Sequence, residues 1–78
     1  MAVEIKSDRD DILRGLGQLL EALAHGYDMA LLITSQSRAE KIDTKVFQAT
    51  GLGLAAVNSK GELKIISEPK ITMLKGEN

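Results

Sequence analysis

Met29-Ala30-Leu31-Leu32-Ile33 is an unbroken apolar run, and it constrains this chain more than any other segment. It is far short of the roughly 20 residues that cross a bilayer. A short, continuous apolar run reads as a strand buried on both faces, as in a parallel sheet covered by helices. Parallel strands are joined by right-handed crossovers, normally helices. The run therefore demands a helical segment on each side of it.

Both are present. Residues 2–6 alternate in character and are rich in Val and Ile, which predicts a short strand. Ser7 or Asp8 then caps a helix running to about His25, with Asp10 and Asp11 at its positive dipole end and Gly26 as its stop. At 100° per residue, Ile12, Leu13, Leu16, Leu19, Leu20, Leu23 and Ala24 fill one arc. Arg14, Gln18, Glu21 and His25 fill the opposite one. Gly15 and Gly17 each cost about 1 kcal/mol relative to Ala inside a helix, which points to a packing or ligand reason or else to a frayed or kinked helix. His25, the sole histidine, reads as a surface or charge–dipole residue.

Downstream, Ser35 to Ser37 cap a second helix over about 38–50, with Ala39, Ile42, Val46 and Ala49 inward and Gly51 as its stop. Leu52 to Val57 is a third strand, Asn58-Ser59-Lys60-Gly61 a turn, and Leu63 to Ser67 a fourth strand ended by Pro69. The expected fold class is α/β: a small mixed sheet with two helices, in the order β-α-β-α-β-β. One domain spans residues 1–70. Residues 71–78 form a tail in which Ile71, Met73 and Leu74 can add contacts.

A chain of 78 residues has a marginal core, burying about 60–65% of its unfolded surface. Without cysteine it has no disulfide or thiolate–metal staple, which leaves oligomerisation. With Tyr27 and Phe47 as its only aromatics, base stacking is not a binding mode. A net charge of −1 excludes whole-surface attraction to nucleic acid. A local basic patch remains available: Arg38, Lys41 and Lys45 recur at i, i+3 and i+7, within about 60° of helix arc. They read as a phosphate-contacting ridge or, with Glu40 and Asp43 nearby, as an ordinary solvated face. Gly51 and Gly53 do not form a phosphate loop. No signal-peptide pattern is visible at the start, and the expected location is cytoplasmic, away from membranes.

Glu4 and Lys6 lie two apart on the first strand and so point to the same side. Glu4-Ile5-Lys6-Ser7, followed by a helix with Gly17-Gln18-Leu19-Leu20 and then a buried strand, resembles the second half of a PD-(D/E)xK nuclease domain of the restriction-endonuclease-like superfamily. Thr50 through Glu62 is similar to the helix, G-I-G, strand, turn, strand ending of its archaeal and bacterial members. The resemblance covers most of residues 3–69. It implies a metal-binding carboxylate at Glu4, a water-orienting ammonium at Lys6 and a nearby Gln18, with Mg²⁺ or Mn²⁺ as cofactor. If a dimer supplies a second carboxylate, Gln18 and Ser7 would contact phosphate.

The family's first helix, first two strands and second metal-binding aspartate have no counterpart here. One carboxylate is a poor Mg²⁺ site. Asp8, Asp10 and Asp11 are better read as capping and dipole residues than as substitutes. Without the outer strands, residues 2–6 should present an exposed sheet edge. The first expectation is therefore a minimal nuclease-like, DNA-associated protein. It would hydrolyse phosphodiesters only if a homodimer through strand 2–6, or a partner protein, completes the site. The alternative is a non-catalytic dimerisation or protein-binding module on a decayed nuclease fold. A third reading is a piece of a longer protein.

Overall fold

The structure is a computed structural model, and it describes residues 1–71. Strands β1 (Ala2–Lys6), β2 (Ala30–Ser35), β3 (Gly53–Val57) and β4 (Leu63–Ser67) form one sheet in the order β1-β2-β3-β4. The first three are parallel, and β4 returns antiparallel to β3. Helix α1 (Ile12–Ala24) links β1 to β2. The link from β2 to β3 carries two short helices, α2 (Gln36–Ala39) and α3 (Lys45–Thr50). The mixed sheet and the element order are those expected from the sequence, apart from this division of the second helix.

That division has a local cause. Ser35 caps α2 by accepting from the Arg38 amide at 3.2 Å. The chain then turns through residues 40–44, and the Asp43 carboxylate accepts from the Lys45 amide at 2.9 Å, starting a new helix. The break rephases the side chains. Of the four residues expected inward, Ala39 is buried and Ile42 packs against the core, but Val46 is 46% exposed and Ala49 is exposed. Phe47 is fully buried instead. It also dissolves the basic ridge, because Arg38, Lys41 and Lys45 no longer share one helix.

Helix α1 likewise starts later than Ser7 or Asp8. Asp11 is its N-cap, accepting from Leu13 N at 2.9 Å and Arg14 N at 3.4 Å, while residues 7–10 form a separate turn. Its buried stripe is narrower than its apolar arc: Leu16, Leu19 and Leu23 are buried, but Leu13 is 77% exposed. The stops at Gly26 and Gly51 and the turn at Gly61 all use positive φ, where a side chain is strained.

Sheet topology fixes where the core lies. Both crossovers step in the same direction across the sheet, so their shared right-handedness puts α1, α2 and α3 on one face. On that face Leu16, Leu19 and Leu23 meet Leu32, Leu52, Leu54 and Phe47 in one cluster. Each fully buried Leu or Phe contributes about 1.5–3 kcal/mol relative to exposure. Covering both faces requires the strand order to reverse, which it does not. The double burial expected around Met29–Ile33 is therefore met only in part: Leu31 and Leu32 are buried, but Ile33 is half-buried and, among the described residues, no helix lies over its side of the sheet. Of the tail, Ile71 is 67% exposed, and Met73 and Leu74 lie outside the described residues.

Candidate functional site

Strand β1 is one of the two edges of the sheet, and Glu4 and Lys6 project from it toward the helical face. Their charged ends meet at 3.5 Å, with side chains 30% and 12% exposed. Gly15 makes the room: a Cβ there would stand 2.9 Å from Lys6 Cε and 3.1 Å from Leu32 Cδ1. The lysine stem therefore runs beneath α1 and returns its ammonium to Glu4. As a partly solvated pair this contributes about 0–1 kcal/mol. The carboxylate is already engaged, and among the described residues no three His, Cys, Asp or Glu side chains converge to hold a metal ion. At this pair the described residues of one chain thus offer Mg²⁺ or Mn²⁺ a single carboxylate, that of Glu4. Gln18, Lys41 and Lys45 are exposed. The structure joins Glu4 to Lys6 but brings none of these three into hydrogen-bonding contact with that pair.

Arg38 has a different setting from the one its spacing suggests. Its guanidinium reaches across to the β1–α1 turn and donates to the carbonyls of Ser7 at 3.0 Å, Asp8, and Asp10 at 2.5 Å. Ser35 Oγ donates to Asp8 in the same cluster. Five planar donors suit such a fork of acceptors. These partners lie about thirty residues away in the chain, so no local pattern signals them. Ser7 N donates to Asp10 Oδ2 at 2.8 Å. Hydrogen bonds from Ser7 hold the Asp10 carboxyl below its ordinary value of 3.8 against the opposing desolvation, with lesser help from the charges of Lys6 and Arg38.

Two further features lie at the carboxyl ends of the strands. Thr34 is 2% exposed, and its hydroxyl lacks a hydrogen-bond partner among the described residues. A groove of about 390 Å³ lies between α2 and β4, lined by Gln36, Glu40, Ala56, Glu62, Lys64 and Ile66.

The largest anomaly is the face of the sheet opposite the helices. Strand register aligns Val3 with Leu31 and Gly53, and Ile5 with Ile33 and Ala55. Beyond β3 the same face continues through Ile65 beside Ala55 and Leu63 beside Val57. No charged side chain occurs at these positions. Ile5 is 71% exposed, Leu63 54%, Val3 47% and Ile65 42%. Only Pro69 crosses it among the described residues, over Gly53, where a Cβ would meet the proline ring at 2.8 Å. Sequence reading marks the period-2 pattern of β1 but not this face, because strand order decides which sides align.

Fold and site together define a one-sided α/β domain, with a helical layer on one side and an open, apolar sheet on the other. No protein-family model, curated protein or solved structure matches this chain. Among the described residues, no helix is long and apolar enough to cross a membrane.

Proposed function

We propose that this chain is an assembly module. It takes another polypeptide on the open face of its sheet and along the β1 edge, and it is not a hydrolase on its own. The observation that carries this reading is the uncharged face bearing Val3, Ile5, Leu63 and Ile65, each 42–71% exposed. Exposed apolar patches of several hundred Å² mark interaction surfaces. The outer side of β1 adds a row of backbone donors and acceptors that another strand can pair. A cytoplasmic setting belongs to the same reading, supported by the absence of cysteine.

Light scattering and binding of an anilinonaphthalene dye test it. The wild type is expected to assemble or, when diluted to a monomer, to bind dye. Ile5→Asp should lower both. A monomer that binds no dye and is indifferent to Ile5→Asp would end the reading.

A second reading keeps the nuclease resemblance, on the 3.5 Å pairing of Glu4 with Lys6 on one side of β1. It needs a second carboxylate from another chain before Mg²⁺ or Mn²⁺ can be held. In it Gln18 and Ser7, with Arg38, Lys41 and Lys45, are the DNA-contacting residues. Supercoiled and branched DNA incubated with Mn²⁺ tests it. Cleavage lost in Glu4→Ala supports it; equal cleavage by both proteins, or none by either, removes it.

A further inference from the structure

We infer that the occupant of the open sheet face is a second copy of this chain, packed sheet against sheet about a two-fold axis. The inference rests on the assembly reading and names the partner.

Charge is the first argument. A two-fold interface sets a patch against itself, so any charge near the axis meets its own kind. Partners of different sequence commonly select each other by complementary charge. The strands of this face carry none: their paired positions hold Val, Ile, Leu, Ala, Gly and one serine, Ser35, whose hydroxyl meets the Asp8 carboxylate at the border. The chain's net charge of −1 also leaves two copies with little mutual repulsion.

Area is the second. Four side chains 42–71% exposed, with Ile33 and Val57 half-buried and Leu31 and Ala55 buried among them, offer apolar surface on the order of 400–500 Å². A standard interface buries about 800 Å² per partner, a little over half of it apolar. The patch supplies that apolar share, and polar residues around its border supply the rim.

Width is the third. On the opposite face α1 covers only β1 and β2, and α3 packs on β3. One docked helix would likewise leave two strands bare. The most exposed side chains here stand on the two outer strands, Ile5 on β1 and Leu63 on β4. A second four-stranded sheet covers all four at the usual 10 Å spacing. Pro69 sits over Gly53 at the amino end of β3, so the open area lies toward the carboxyl ends of the parallel strands.

The test uses the full chain at micromolar concentration, with sedimentation equilibrium and isotope-filtered NMR on mixed labelled and unlabelled protein. The expected result is twice the 8.4 kDa mass, with cross-chain contacts between Ile5, Ile33 and Ile65 methyls. Ile5→Lys and Ile65→Lys should each raise the dissociation constant roughly tenfold or more, because each sets a charge against apolar surface in the interface. Leu13→Lys, on exposed α1 surface, should leave it unchanged, and circular dichroism checks that every variant is folded. A dimer indifferent to both face variants, with contacts between the backbones of residues 2–6, overturns the face-to-face arrangement in favour of edge pairing. A dye-binding monomer overturns the second copy while sparing the assembly reading. A monomer without dye binding overturns both.

Discussion

The stem of Lys6 occupies the space that a side chain on Gly15 would fill, with Lys6 Cε 2.9 Å and Lys6 Cγ 3.2 Å from where that Cβ would stand. The helix glycine and the edge-strand lysine are therefore one packing unit. The glycine lets α1 lie close to β1, and the lysine fills the gap while its ammonium meets Glu4. The other glycine of the helix, Gly17, has nothing within 4 Å of its Cβ position.

This contrast predicts opposite outcomes for the same substitution. Gly17→Ala should raise stability by about 1 kcal/mol through helix propensity alone. Gly15→Ala should gain little or nothing, because Lys6 must move. In a Lys6→Ala background, Gly15→Ala should recover part of the gain. Urea denaturation of the four combinations measures the coupling; simple additivity would show that the two residues do not share the space.

Arg38 should prove structural before it proves functional. Arg38→Ala removes a charged donor from three carbonyls of the β1–α1 turn and should cost about 1–3 kcal/mol. Arg38→Lys should restore less than half of that, since an ammonium cannot span the fork. Hydrogen exchange at residues 7–11 should rise in both. Unchanged exchange in that turn would show that Arg38 is free for another ligand.

Stability should respond to acid through Asp10. Its folded-state carboxyl titrates below the ordinary 3.8, held down first by the Ser7 amide. A depressed folded value means a contribution that is complete above the ordinary carboxylate range and lost as pH falls through the folded value. Asp10→Asn should therefore flatten the stability curve below about pH 4 and leave its shape unchanged from about pH 5 upward. Carboxyl NMR titration of Asp10 gives the direct check: a value at or above 3.8 contradicts the hydrogen-bonded turn.

Thr34 is expected to tolerate loss of its hydroxyl. A buried polar group without a partner is a liability, so Thr34→Val should be neutral or stabilising by up to about 1 kcal/mol. A clear loss of stability in thermal unfolding would mean that the hydroxyl has a partner, such as a buried water.

Legibility in the sequence followed the range of the forces involved. Glycine stops at Gly26 and Gly51, the Asn58–Gly61 turn and the strands at 2–6 and 63–67 were readable, because each rests on the conformational freedom or the alternation of adjacent residues. The second helix was not. Val46 and Phe47 differ by one position, and only the break at residues 40–44 decides which faces inward. The Glu4–Lys6 side of the candidate site was legible from the period of a strand. The fork of Arg38 was not, since its acceptors are backbone carbonyls that any residue carries.

The sequence by itself determined that this is an α/β chain: a five-residue apolar run flanked by helical patterns can form little but a parallel strand with crossovers. Only the tertiary structure decided that the sheet has one covered face and one open one. Alternation along a strand separates its two sides, but it does not say how neighbouring strands are ordered. Here the order β1-β2-β3 never reverses, so the hand of the crossovers sends every helix to the same face. Ile5, Leu63 and Ile65 are thereby left on the other, a consequence of strand order that no residue pattern carries.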